Sequence, residues 1–195
     1  MQQIKHFEIL DGLPTYGPMY IPVSEDGQPF YNEGFVVRFY KNDGTNWVGN
    51  FKTGATDFST VFELSQSDKI IVIAGGRGYV MTHEQTKPIE TFGFAISEIL
   101  QTRENSFVAA DNTDIEIIYP DGNIWRSNRI SWDGIKNLKL QNNIISGLSF
   151  DPTNDADEWI EFSINLNTKE IAGGSYRKYY DDDGNYKKKP FWKFW

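Results

Sequence analysis

The stretch "KIIVIAGGRGYVMT", Lys69–Thr82, sets a glycine-rich turn directly behind a run of β-branched residues. Two architectures compete for such a stretch. A phosphate-binding loop leads into a helix, whose N-terminal amides hold the phosphate, and so implies an α/β protein. A tight reversal leads into a second strand and implies a β-protein. The P-loop pattern requires G-x-x-x-x-G-K-[ST], and no lysine follows Gly78 at the required place; a dinucleotide fingerprint begun at Gly76 and Gly78 requires glycine where Met81 stands. Tyr79-Val80-Met81-Thr82 reads as a strand. The glycines are therefore a reversal between two strands. The tetrapeptide "IAGG" recurs at Ile171–Gly174, and tyrosines follow both copies, Tyr79 and Tyr176. The echo predicts turns or bulges in equivalent parts of one sheet system, with the two tyrosines packed beside them.

Working outward, six Asp-Gly pairs, at Asp11, Asp26, Asp43, Asp121, Asp133 and Asp183, punctuate the chain with turn signals. Phe35–Lys41 and Trp47–Phe51 flank one as the arms of a hairpin, and Ile115–Tyr119 and Ile124–Arg126 flank another. Around Asn142-Asn143 a third hairpin is expected, with Ile144, Leu148 and Phe150 on one side of its second strand. Ile160, Phe162, Ile164 and Leu166 alternate with Glu161, Ser163, Asn165 and Asn167, the period of a half-buried strand. Helical signals are few. "STVFELSQSDK" fits a capping box or a strand, and "AISEILQTREN" is expected to make two turns of helix from Ser97.

The chain thus reads as all-β, mainly antiparallel, in a single domain: a twisted sandwich or a meander of hairpins. Hairpins recur at intervals of roughly 40 residues, the length of a propeller blade, which makes a small β-propeller-like arrangement the alternative. Residues 1–34 hold four of the eight prolines among Tyr16, Met19, Tyr20, Phe30 and Tyr31. Proline excludes them from a central strand or a helix, so they are expected to lie extended over the core with their aromatic residues packed. Residues 35–177 form the antiparallel core, and 178–195 a basic, aromatic C-terminal tail.

Composition narrows the chemistry. Cysteine is absent, which excludes disulfides, thiolate metal sites and cysteine nucleophiles. The start, "MQQIKHFEILDGLP", lacks a basic region followed by an apolar one, and no apolar run approaches a membrane span, so a cytoplasmic location is expected. Net charge is −8; from Arg177 onward six basic residues face three acidic ones, so residues 1–176 carry −11. Such a body repels nucleic acid and suits a basic protein partner.

Catalytic and metal motifs fail on spacing. The two histidines are His6 and His83, and Lys87 stands where H-E-x-x-H requires the second histidine. Aligning Gly184 with the sixth EF-hand position puts Tyr179 and Pro190 where acidic ligands belong. No G-x-S-x-G occurs. No metal, cofactor or catalytic residue is assigned, and the chain leans away from an enzyme.

Two stretches suit recognition. Trp125, Arg126, Arg129, Trp132 and Asp133 bring two indoles and two planar cations into nine residues, suited to stacking or to binding a carboxylate. In the tail, Lys187, Lys188, Lys189, Phe191, Trp192, Phe194 and Trp195 combine charge with apolar surface that favours packing against the domain or a partner. The function expected first is non-catalytic protein binding inside the cell, a toxin-neutralising immunity protein being one concrete form. A carbohydrate-binding or glycan-processing β-domain is the alternative, and a hydrolase built from distant acids and His83 the third.

Overall fold

The computed structural model describes residues 6–17, 19–153 and 157–187, and among them there are sixteen strands and no helix. The strands follow the chain in four groups of four. Sheet I contains β1 (Phe7–Leu10), β2 (Ile21–Val23), β3 (Phe35–Tyr40) and β4 (Asn46–Phe51) in the order β1-β3-β4-β2. Sheet II contains β5 (Thr60–Glu63), β6 (Lys69–Ala74), β7 (Arg77–Thr82) and β8 (Glu90–Phe92), each paired with the next. Sheet III is built likewise from β9 (Glu98–Gln101), β10 (Phe107–Ala110), β11 (Ile115–Ile118) and β12 (Ile124–Arg126), and sheet IV from β13 (Ile135–Gln141), β14 (Ile144–Asp151), β15 (Glu158–Asn165) and β16 (Ile171–Gly173). Pairing is antiparallel except for β2 beside β4. The all-β, mainly antiparallel reading holds.

The chain divides into two compact units, residues 1–111 with 116–125 and residues 112–115 with 126–195. In the first unit, the glycines of Lys69–Thr82 join two strands. Ala74 pairs with Arg77, so Gly75 and Gly76 form a two-residue loop between β6 and β7, at φ of 53° and 86°. Positive φ at both loop positions matches the right-handed twist of the flanking strands, and glycine adopts it without strain. The loop is also closely packed: a Cβ on Gly76 would lie 2.5 Å from Thr56 Oγ1. Gly76→Ala is expected to destabilise the fold by about 1–3 kcal/mol through strain and overlap, measured by urea unfolding.

β6 reads apolar without alternation because both of its faces are covered. Ile70, Val72 and Ala74 pack with Val37, Phe39, Trp47 and Phe51 of sheet I. Ile71 and Ile73, on the opposite face, pack with Ile96, Ala109 and Ile118 and with the partly buried Ile99 and Phe107 around sheet III. Tyr79 of β7 faces sheet I, its ring 5.2 Å from that of Phe51, and its hydroxyl donates to Lys52 O at 2.6 Å. Burial pushes this phenol's pKa far above its ordinary value.

The second unit holds sheet IV. Here the IAGG echo meets its limit. Gly173 and Gly174 share positive φ with the earlier pair, at 73° and 95°, but they end the edge strand β16 instead of joining two inner strands. The backbone conformation recurs; the place in a sheet does not. The expectation of equivalent positions is corrected, since a short glycine pair encodes only local geometry.

Other expectations sort similarly. Five of the six Asp-Gly glycines, Gly27, Gly44, Gly122, Gly134 and Gly184, have positive φ, as their turns require. The helix expected from Ser97 is strand β9, because pairing with β10 overrides a weak local preference. β1 and β2 are edge strands, which accommodates Pro22. The packing expected for the aromatic residues of 1–34 fails in part. Tyr20 and Phe30 are half-buried, but Tyr16, Met19 and Tyr31 stand out in solvent.

Candidate functional site

Residues 11–34 carry four carboxylates, Asp11, Glu25, Asp26 and Glu33, and no lysine or arginine. Polar bonds tie Leu13, Ser24, Gln28, Asn32 and Gly34 of this segment. Leu13 N–H donates to Glu33 Oε2 at 3.1 Å, Gly34 N–H donates to Asn50 Oδ1 at 2.8 Å, and Asn50 Nδ2 donates to Asn32 O at 3.1 Å. Ser24 Oγ donates to Asp26 Oδ1 at 2.9 Å and lies 2.8 Å from Gln28 O. Glu25 is anchored 3.3 Å from Arg77 Nη1 and 3.5 Å from Lys52 Nζ. The Gln28 amide first, and then the Ser24 hydroxyl, hold the Asp26 carboxyl below the usual carboxylate range, so it stays ionised at neutral pH.

On this tied segment Tyr16 is 90%, Met19 88% and Tyr31 88% exposed. Composition marked these residues, but period and proline content gave no sign that they point outward. The result is apolar surface on an acidic stretch of chain. Tyrosine and methionine in that setting are the residue types enriched in protein interfaces.

The tryptophan and arginine stretch is organised differently. The boundary between the units falls between Trp125 and Arg126. In the second unit, Arg129 and Trp132 come together in an aromatic cluster. The Arg129 guanidinium lies 5.5 Å over Trp132 and 4.8 Å over Tyr176, and its Nε and Nη2 donate to Ser131 O and Trp132 O at 2.9 and 2.8 Å. Trp132 meets Tyr176 and Tyr180 edge-on, and those two rings stack at 4.8 Å. With the tyrosines in mutual contact there is no slot between them for a ligand. Asp133 lies outside this cluster and accepts from Asn112 Nδ2 at 3.2 Å.

Of the tail residues, Lys187 is described, and its Nζ donates to Arg177 O at 2.7 Å. Lys188, Lys189, Phe191, Trp192, Phe194 and Trp195 lie outside the described residues. The nearby cations are matched by acids: Arg177 pairs with Asp182, and Lys178 lies 3.4 Å from both Asp151 and Glu158.

The two histidines meet in the first unit. Their rings stack at 4.4 Å, and His6 Nδ1 is 3.2 Å from Glu63 Oε1. They line a cavity of about 100 Å³ with Ser67, Asp68, Lys69 and Ile70. That volume is well under the roughly 300 Å³ at which ligand pockets begin. Ser67 Oγ lies 3.2 Å from Pro120 O, and Lys69 Nζ donates to Asp121 O. Among the described residues neither ring bonds a serine hydroxyl, and no three histidine or acidic side chains are grouped to hold a metal ion. Among them, too, no helix is long and apolar enough to cross a membrane.

A broader depression lies on sheet IV. It encloses about 560 Å³ and is lined by Asn137, Lys139, Ser146, Leu148, Glu161 and Ser163, with backbone from neighbouring glycines. No family model, curated protein or solved structure matches the chain, so these surfaces are read on their own chemistry.

Proposed function

We propose that this protein is a non-catalytic binding protein that holds a basic protein partner against residues 11–34, acting inside the cell. The observation that carries the reading is the near-complete exposure of Tyr16, Met19 and Tyr31 on a stretch with four carboxylates and no lysine or arginine. Exposed tyrosine and methionine side chains bury apolar area on binding, and that burial adds affinity. Asp11, Asp26 and Glu33 around them favour a cationic surface and speed its approach. A toxin-neutralising immunity protein, covering a basic active site, is the concrete form of this reading.

The test is co-purification from the native lysate, comparing the wild type with Tyr16→Ser/Met19→Ser/Tyr31→Ser. The expected result is a basic partner retained by the wild type and bound at least about 100-fold more weakly by the triple variant. The variant's own unfolding is expected to stay within about 0.5 kcal/mol of the wild type, because these side chains are exposed. Binding is expected to weaken as salt screens the carboxylates. Equal retention by wild type and variant would remove the loop from the account.

A further inference from the structure

The depression on sheet IV has a chemistry that the protein-binding reading does not use. Its polar side chains come from three adjacent strands in fixed register. Lys139 of β13 pairs with Ser146 of β14, Ser146 pairs with Ser163 of β15, and Leu148 pairs with Glu161. Asn137 enters from a bulge in β13 between Lys136 and Lys139, at φ 59°. All of these positions are on strands or their irregularities, so they are held more rigidly than a loop would hold them.

Five of the lining residues, Asn137, Lys139, Ser146, Glu161 and Ser163, bear hydrogen-bonding side chains, and among the described residues none of the five has a side-chain hydrogen-bond or ion-pair partner. Buried polar groups of the same unit, by contrast, are engaged. Ser131, Ser149 and Ser175 bond backbone groups, and Asp151, Thr153 and Tyr179 bond one another. The depression thus concentrates unused donors and acceptors around an apolar patch at Leu148, in a volume within the range of ligand sites.

The composition of the set selects the ligand. Serine hydroxyls and the asparagine amide each donate and accept, matching groups that also do both. One cation, Lys139, and one anion, Glu161, leave no net charge to attract an ion. We propose that this face of sheet IV binds a short neutral saccharide, whose hydroxyls meet these five side chains and whose C–H surface lies on Leu148. The indoles are not its platform. Lys136 Nζ already sits 3.5 Å over the Trp159 ring, and Trp47 is buried with its N–H donated to His83 O. The site is independent of residues 11–34.

The test is backbone NMR of the full chain titrated separately with maltotriose, cellotriose, laminaritriose and chitotriose, each to about 10 mM, sufficient for millimolar dissociation constants. The expected result is saturable movement of the Ser146, Leu148, Glu161 and Ser163 amide signals with at least one trisaccharide. Ser146→Val/Ser163→Val is expected to raise that dissociation constant about tenfold or more, while the signals of buried Ile130 and Ser175, elsewhere in the second unit, stay in place and report an intact fold. Glu161→Gln, a milder change, is expected to weaken binding in the same titration. No saturable movement with any of the four overturns the proposal. So does movement confined to other sheets, unchanged binding by the double variant, or movement with trigalacturonate alone, which would make the ligand an anion.

Discussion

Ile70→Ala and Ile71→Ala are each expected to destabilise the protein by about 2–5 kcal/mol, the range for removing three buried carbons from a well-packed core. The two residues are adjacent on β6 and point to opposite faces. On an ordinary strand, one face of which meets water, only one of the pair would matter. Here Ile70 is 1% and Ile71 0% exposed, the first packed on sheet I and the second in the cluster reaching sheet III. Urea unfolding of each variant gives the loss. Similar losses confirm a sheet covered on both faces, whereas a loss at one position alone would leave the other face without the packing described.

Asp151→Ala is expected to cost about 2–4 kcal/mol, since it removes a buried charged acceptor from several donors at once. The Asp151 carboxylate is fully buried, with Thr153 Oγ1 at 2.5 Å and Thr153 N at 3.0 Å on Oδ1 and with Lys178 Nζ and Tyr179 Oη both 3.4 Å from Oδ2. Burial by itself raises its pKa, but the Thr153 hydroxyl and amide and then Lys178 outweigh burial, and the net shift is downward. The sign for pH follows. A carboxyl whose folded value lies below its unfolded one contributes stability that is fully present above about pH 3.9 and is lost as pH falls through the folded value. The difference in unfolding free energy between wild type and Asp151→Asn is therefore expected to narrow as pH falls below about 4. A difference that stays constant from neutral pH to strong acid would contradict the charged role given to Asp151.

Much of the fold was legible because its signals are local. The Asp43-Gly44 and Asn142-Asn143 turns fix their hairpins through backbone conformations that those residues tolerate, with Asn142 and Asn143 at φ 50° and 59°. The β15 alternation also held, with Phe162 and Ile164 buried and Glu161 exposed. Ile144, Leu148 and Phe150 do share one side of β14, but which side is buried depends on neighbours distant in sequence. On β14 the buried side is Ile145, Gly147, Ser149 and Asp151, while Leu148 and Phe150 face the other way. Hydrophobicity alone would choose the opposite face. Small polar residues occupy the interior there because Ser149 accepts from Ser175 N–H and lies 2.9 Å from Ile160 O, which lets the turns around Ser131 and Ser175 close on the strand.

Both proposed surfaces were obscure for related reasons. The lining of the sheet IV depression reads as the plain solvent side of alternating strands; only Asn137, an asparagine placed inside a strand, hints at the bulge. Tyr16, Met19 and Tyr31 were visible as residues, but an irregular stretch has no period from which the outward side chains could be read. The tryptophan and arginine stretch was conspicuous because of its composition, and much of that composition is used in the packing of Arg129 on Trp132 and Tyr176.

Site-specific photo-crosslinking addresses the binding claim most directly. A benzophenone side chain placed at Tyr16 or Tyr31, and at the half-exposed Phe94 as a control, is irradiated in native lysate. One predominant adduct to a basic protein is expected from both loop positions, absent at Phe94 and diminished at high salt. Loop positions that give no adduct, or the same adducts as Phe94, would contradict the binding claim.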